Sequence, residues 1–326
     1  MSLAVVFPGQ GSQRVGMGQD WLIHESAGSV FAAADLVLQH DLGFALSTLC
    51  FAGPEEELRL TANCQPAILT ASLAAYRVLE EELKERGAAL TPAYFAGHSL
   101  GEYTALVAAG ALSLEDAAVT VHERGRLMQE AVPPGEGAMA AVFGLDVETL
   151  DAISRQVAAE LNSVLEIANF NSPEQIVVSG SAQAVALASE RYTAAGAKRV
   201  VELPVSAPFH CALMVPAADG LKPRLTTLEF AVPHVPVVAN LTVQPYPADT
   251  VEYAKILHAQ IFNPVRWTET VQYFAMHKVT HLLEVGPGKV LRGLAMKTAR
   301  ELKTMNLESE ADLGAVANWV AEALQA

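Results

Sequence analysis

A serine between two glycines is the clearest candidate for chemistry in this sequence. Ser99 lies in the run Gly-His-Ser-Leu-Gly at residues 97–101, directly after the short apolar segment 94–96. This is the pattern of a nucleophile elbow, in which a sharp strand-to-helix turn exposes the serine Oγ. The pentapeptide alone is common. The apolar segment before it and the helical segment after it favour a catalytic serine over a plain turn.

A nucleophilic serine needs a base, and the chain has nine histidines. His98 adjoins Ser99, but the side chains of neighbours on a tight turn usually diverge. His210 stands apart because it follows the segment Pro-Val-Ser-Ala-Pro-Phe at residues 204–209, where a central part of the chain ends. Clefts often form at such domain junctions, so His210 is the candidate base. Cys211 is better explained as a small buried residue.

The first loop of the chain is a further candidate functional segment, because its backbone amides could bind a ligand. Gly9, Gln10 and Gly11 follow the apolar run 3–7 after a single proline, much as in a dinucleotide-binding loop. That fingerprint needs a third glycine at position 14, where this chain has Arg14. The alternative is that the loop lies beside the elbow and supplies a backbone amide to an oxyanion hole.

The surrounding segments predict a parallel α/β sheet that would position these residues. Residues 3–7, 94–96 and 281–285 are short apolar runs without polar alternation, which is typical of strands buried on both faces. Residues 67–87 are rich in Ala and Leu, follow Pro66 and end at a glycine, so they predict a long helix.

A smaller domain interrupts this pattern. Residues 132–137 are Val-Pro-Pro-Gly-Glu-Gly, a linker, and the segments after them alternate as strand, helix, strand, strand, helix and strand up to Leu203. We predict a hydrolase-like parallel α/β domain made of residues 1–133 and 205–326. A ferredoxin-like (βαββαβ) domain of residues 134–204 is inserted into it.

Composition excludes several classes of function. The 326 residues are 51% hydrophobic, which excludes intrinsic disorder, and the net charge of −15 argues against nucleic-acid binding. No apolar run is long enough for a membrane helix, and the first residues lack the basic region of a secretory signal. The three cysteines are scattered and lack metal-ligand spacing. We therefore expect a cytoplasmic enzyme without a metal. We also expect a monomer.

Further motifs identify a family. Arg-Gly and Met-Gln-Glu occur within residues 124–130, Asn-Pro-Val-Arg-Trp at 263–267 and Glu-Val-Gly-Pro-Gly at 284–288. Together with the elbow, the first loop and the segment before the candidate base, they resemble the malonyl-CoA:acyl carrier protein transacylases. These belong to the acyltransferase family of fatty-acid and polyketide synthesis. The resemblance covers roughly residues 3–305, and it implies the same two-domain architecture that the segment pattern predicts.

The resemblance implies a catalytic role for five residues. Ser99 would take the malonyl group as an ester. His210 would accept the serine proton and then protonate the departing CoA thiol. The backbone carbonyl of Gln260 would orient His210, and the backbone amides of Gln10 and Leu100 would form the oxyanion hole.

The resemblance also implies how the substrate is chosen. Arg124 would hold the malonyl carboxylate, because a guanidinium group forms two parallel hydrogen bonds and stays charged when buried. Arg126 is interpreted as a surface arginine. Phe209 precedes the base, as in related domains that take malonyl rather than methylmalonyl, so a branched acyl group should fit poorly. The remaining candidate substrate contacts are Met128, Asn169 and His98.

These roles predict ping-pong transfer of malonyl from malonyl-CoA to the phosphopantetheine thiol of acyl carrier protein, without a cofactor. The alternatives are a malonyl loader for a polyketide synthase and a serine thioesterase or esterase. Residues 289–303 contain five basic residues and one acidic residue, so they would offer an acidic carrier a basic face. The alternative for this stretch is an ordinary solvated helix face.

Overall fold

The computed structural model describes residues 2–205 and 207–325, which form two β-sheets with helices packed around them. The strands are β1 (Leu3–Phe7), β2 (Tyr94–Gly97), β3 (Gly137–Phe143), β4 (Leu165–Ser172), β5 (Gln175–Ser181), β6 (Arg199–Glu202), β7 (Val237–Val238), β8 (His281–Val285) and β9 (Lys303–Leu307). The α-helices are α1 (Glu25–Leu42), α2 (Leu46–Ala52), α3 (Glu55–Arg59), α4 (Thr61–Glu85), α5 (Gly101–Ala108), α6 (Leu114–Glu130), α7 (Val147–Leu161), α8 (Ala182–Ala194), α9 (Val215–Thr227), α10 (Val251–Gln260), α11 (Trp267–Met276), α12 (Val290–Thr298) and α13 (Leu313–Gln325). Ser206 lies outside the described residues, as do Met1 and Ala326 at the ends of the predicted large domain.

The larger sheet is parallel and positions the elbow beside the first loop. Its strand order is β7-β2-β1-β8-β9, and each pairing is parallel. Every residue of β1 and β8 is buried, which confirms the predicted parallel α/β sheet. In the pairing of β1 with β2, Phe7 lies opposite Gly97, so the loops that follow the two strands leave the sheet side by side.

The smaller sheet is antiparallel, with the order β4-β5-β3-β6. The element order β3-α7-β4-β5-α8-β6 confirms the ferredoxin-like arrangement, while the boundaries at residues 134 and 204 stay a prediction. Alternate residues of β3 face different cores. Met139 and Ala141 pack into the main core, whereas Ala140 and Val142 pack in the core that includes residues of α7 and α8. The small sheet therefore lies directly against the large domain.

Close packing of α6 on α4 brings a histidine of α6 against the backbone of α4. A Cβ at Gly125 would lie 2.3 Å from the Thr61 carbonyl oxygen, so only glycine permits this approach. Helix α4 also begins at Thr61 rather than at residue 67 and continues through Pro66. Proline has no N–H for the carbonyl of Ala62. The Nδ1 of His122 on α6 donates to that carbonyl at 2.9 Å instead.

Among the described residues, the helices are all too short or too polar to cross a bilayer.

Candidate active site

The turn from β2 to α5 presents Ser99 on a tightly constrained backbone. A Cβ at Gly97 would lie 1.9 Å from the carbonyl oxygen of Gly101, and one at Gly101 would lie 2.3 Å from the carbonyl oxygen of Phe7. Ser99 itself has a φ of 52°, in the left-handed region, which costs an L-residue about 1 kcal/mol. Both glycines are therefore sterically required for the turn to form.

Ser99 and His210 form a hydrogen-bonded pair. The Ser99 Oγ lies 2.8 Å from the His210 Nε2, and the His210 Nδ1 donates to the backbone carbonyl of Gln260 at 3.0 Å. A carbonyl oxygen can only accept, so the proton sits on Nδ1 and Nε2 is free to accept the serine proton. Burial and the positive charge of Arg124 lower the pKa of His210 to about 3, so the ring is neutral near pH 7.

Arg124 is almost completely buried and reaches the nucleophile. Its Nη1 donates to the Gln65 Oε1 at 2.7 Å, and its Nη2 donates to the Ser99 Oγ at 3.0 Å and the Gln260 Oε1 at 2.9 Å. The guanidinium carbon lies 5.7 Å from the centroid of the Tyr103 ring. These partners are all uncharged, and within residues 2–205 and 207–325 no carboxylate pairs directly with Arg124. Such a cation is well suited to bind an anionic ligand.

Two backbone amides beside the serine are available as oxyanion donors. Gln10 and Leu100 line the same pocket as Ser99. In the part of the chain that the structure describes, neither backbone N–H donates a hydrogen bond to another residue. The Gln10 side chain is held separately, with its Nε2 donating to the Thr61 Oγ1 at 3.3 Å. The geometry thus leaves both N–H groups free for a developing negative charge.

The remaining candidate residues line this pocket. His98 turns away from Ser99, and its Nε2 lies 2.9 Å from the Asn171 Oδ1. Burial lowers the pKa of His98. The lining also includes predicted substrate contacts and further apolar side chains, namely Met128, Met139, Asn169, Leu203, Val205 and Phe209. Gln260 lies behind the pocket, in contact with His210 and Arg124. The structure thus brings together every site residue that the sequence predicted.

Asn240, which the sequence did not single out, clamps the elbow. It follows β7, and its Oδ1 accepts from the Ser99 backbone N–H at 2.8 Å while its Nδ2 donates to the Gly97 carbonyl at 2.7 Å. Its own backbone N–H donates to the Glu102 Oε2 at 3.0 Å. Since the Ser99 amide is engaged by Asn240, the turn is anchored on both sides of His98.

Glu102 is a second residue to which the sequence analysis gave no role, although it directly follows the run Gly-His-Ser-Leu-Gly. Its Oε2 accepts from the Gln260 Nε2 at 3.1 Å as well as from Asn240, and its Oε1 accepts from the Tyr246 hydroxyl. Burial raises the pKa of Glu102, and these three donors oppose that rise. The Glu102 carboxylate fixes the Gln260 amide so that its Oε1 faces Arg124.

We expect Asn240→Ala to slow acylation of Ser99 on the order of 10- to 100-fold with little change in substrate affinity, because the constrained elbow loses both anchors. Single-turnover rates and KM measure the two effects. Ser154→Ala is the matched control: its buried hydroxyl bonds Tyr192 and a backbone carbonyl in the small domain. That variant should lose stability but keep its acylation rate. An unchanged rate in Asn240→Ala would contradict the clamp.

The chain matches the acyl transferase domain family over residues 4–318. It is 47% identical over 306 residues to the malonyl CoA-acyl carrier protein transacylase of Bacillus subtilis, covering 93% of this chain and 92% of that protein. The protein of the same name from Escherichia coli K12 is 46% identical over 314 residues, covering 96% of this chain and 97% of that one.

Solved structures show the same likeness. The acyl-carrier-protein-S-malonyltransferase from Bartonella henselae is similar with a TM-score of 0.91 and 42% identity, covering 98% of this chain and 100% of that chain. A malonyl-transacylase solved in complex with a type II PKS acyl-carrier protein is similar with a TM-score of 0.90 and 44% identity, covering 98% and 99%.

Proposed function

The chain belongs to the acyl transferase domain family, and from that premise we propose that it transfers a malonyl group from malonyl-CoA to the phosphopantetheine thiol of an acyl carrier protein. Family membership makes it an acyltransferase. Arg124 is the main support for malonyl as the acyl group. It is a buried cation with uncharged partners, and it donates a hydrogen bond to the nucleophilic oxygen. A malonyl group esterified to Ser99 carries its carboxylate only a few bonds from that oxygen.

In the first half-reaction, the Ser99 Oγ attacks the thioester carbonyl while the His210 Nε2 takes its proton. The carbonyl oxygen becomes an oxyanion, which accepts hydrogen bonds from the backbone N–H groups of Gln10 and Leu100. When the C–S bond breaks, His210 gives its proton to the CoA sulfur. The products are free CoA and a malonyl ester on Ser99.

The second half-reaction uses the same groups in reverse. His210 takes the proton of the carrier thiol as the sulfur attacks the ester carbonyl, and it returns that proton to the Ser99 Oγ as the ester breaks. The hydrogen bond from the His210 Nδ1 to the Gln260 carbonyl keeps the ring aligned for both proton transfers.

The position of α12 supports an acyl carrier protein as the acceptor. Val290, Leu291 and Leu294 line a second pocket that shares Gln10, His98 and Asn169 with the first, so α12 borders the approach to Ser99. The exposed basic residues of this helix and its flanks are Lys289, Lys297, Arg300 and Lys303. An acidic carrier would meet them there. The related transacylase solved with an acyl-carrier protein also supports this kind of acceptor.

We propose that one chain suffices and that no cofactor takes part, since nucleophile, base, oxyanion donors and anion receptor all come from the same pocket. The three cysteines are free thiols, which supports a reducing, cytoplasmic setting. The product of the reaction would supply fatty-acid synthesis.

Release of CoA with and without the acceptor tests this function. With malonyl-CoA alone, we expect release to stop at about one equivalent per enzyme, because the acyl-enzyme waits for a thiol. Added holo acyl carrier protein should restore turnover, and added salt should slow only that second step. Continued CoA release without carrier would instead identify a hydrolase.

A further inference from the structure

Arg124 contacts the very oxygen whose proton has to move. Its Nη2 lies 3.0 Å from the Ser99 Oγ, and that oxygen lies 2.8 Å from the His210 Nε2. The hydroxyl therefore accepts a hydrogen bond from Arg124 while it donates its own proton to His210. A full positive charge sits one hydrogen bond away from the proton-transfer path.

The groups around His210 add few charges besides this one. Arg124 on α6 acts on His210 through its positive charge. His98, in the turn after β2, has a lowered pKa and is neutral. On the opposite side, the Gln260 carbonyl accepts from Nδ1. Glu102 faces the Gln260 side chain and is not hydrogen-bonded to His210. Burial is the main cause of the lowered pKa of His210, Arg124 is the second, and a base with so low a pKa takes the serine proton reluctantly.

We propose, on the basis of the proposed function, that the substrate's carboxylate strengthens the base: when the carboxylate pairs with Arg124, the guanidinium charge is neutralised and His210 accepts the Ser99 proton more readily. An acetyl group has no carboxylate and leaves that charge in place. Part of the preference for malonyl over acetyl therefore arises in the chemical step and not only in binding.

The proton balance shows where the effect acts. One proton leaves the Ser99 Oγ for the His210 Nε2 as the O–C bond forms, and the same proton reaches the CoA sulfur as the C–S bond breaks. The imidazolium ion exists only between these events. Neutralising Arg124 stabilises that ion, because two like charges no longer face each other across the Ser99 oxygen.

The pH dependence of acylation tests the proposal. Single-turnover rate constants are measured by rapid mixing at saturating malonyl-CoA and acetyl-CoA between about pH 3 and about pH 8, a range that includes the lowered pKa of His210. Pairing with Arg124 favours the ionised carboxylate, so the bound malonyl group keeps its charge below its ordinary pKa of about 4. Protonated His210 cannot act as a base, so each rate falls as the pH drops through the pKa of the complex. The acid limb is the fall in rate at low pH, and its midpoint gives the pKa of His210 in that complex. We expect this midpoint to lie about one pH unit or more higher with malonyl-CoA than with acetyl-CoA. The pH dependence of kcat/KM reports the pKa of His210 in the free enzyme, so its acid limb should be the same for both substrates.

Two controls assign the difference to the carboxylate and to Arg124. Malonyl-CoA with its free carboxyl group converted to a methyl ester should behave like acetyl-CoA. Arg124→Gln should raise the acid limb for acetyl to about that of the wild type with malonyl, because the variant removes the charge that the carboxylate neutralises. Equal limbs for the two substrates in the wild type, or an acetyl limb that does not rise in Arg124→Gln, overturn the proposal. Failure of malonyl-CoA to acylate Ser99 at any pH would contradict the proposed function instead.

Discussion

Ser99→Ala is expected to remain folded, to bind malonyl-CoA and to form no malonyl-enzyme. Loss of the nucleophile of a serine–histidine pair lowers turnover on the order of 10³- to 10⁶-fold. Binding should survive because Arg124 keeps its hydrogen bonds to Gln65 and Gln260, so the receptor for the carboxylate stays in place. Intact mass after incubation with malonyl-CoA measures the covalent adduct, and thermal stabilisation by malonyl-CoA measures binding.

Cys211 provides the matched control, since its thiol is the nearest alternative nucleophile in sequence to His210. It is fully buried, its Sγ donates to the Pro208 carbonyl at 3.1 Å, and burial raises its pKa to about 11. A protonated, buried thiol is a poor nucleophile. Cys211→Ala should therefore retain the malonyl adduct. A malonyl adduct on Ser99→Ala would rule out the assignment of the nucleophile.

The parts of the site that sequence could predict are those that local backbone geometry dictates. Gly97 and Gly101 are sterically obligatory in the turn, so the pattern around Ser99 is visible in five consecutive residues. The apolar runs of β1 and β8 are visible for a similar reason: helices cover both faces of a parallel sheet, so every position is buried.

Backbone donors and acceptors have no such signature. Gln260 orients His210 through its carbonyl oxygen, and Gln10 offers its N–H, groups that nearly every residue has. Gln260 was predicted only from the resemblance to a family, whereas for Gln10 the glycines of the first loop indicated the loop and the resemblance indicated the position within it. Asn240 was missed for a related reason, since an asparagine after a strand is an ordinary turn residue and its partner Ser99 is distant in sequence.

Edge positions were the least predictable part of the fold. Strand β9 contains polar residues and has one buried position, because the outer edge of the sheet is only partly covered. It therefore lacks the apolar run that marks the central strands. Strand β7 is likewise reduced to Val237–Val238, since the chain then turns so that Asn240 can reach the elbow.

Arg124→Ala is expected to reverse the preference for malonyl over acetyl. Removing one partner of a buried, charge-assisted pair costs about 2–5 kcal/mol, which corresponds to a loss of about 30-fold to several thousand-fold in malonyl transfer relative to acetyl transfer. The ratio of kcat/KM for malonyl-CoA to that for acetyl-CoA, measured in one variant, is the decisive quantity. Any loss of stability from leaving Gln65 and Gln260 unpaired affects both substrates equally and cancels from the ratio.

The same helix supplies the control that separates a buried receptor from positive charge in general. Arg126 lies two residues beyond Arg124, but its side chain is 48% exposed and pairs with Glu130 at 2.8 Å. Arg126→Ala removes the same charge from α6 and should leave the ratio unchanged, because an exposed pair is screened by water. Arg124→Lys keeps the charge but loses the planar fork, so its ratio should lie between wild type and Arg124→Ala. An unchanged ratio in Arg124→Ala would mean that malonyl is selected elsewhere in the pocket.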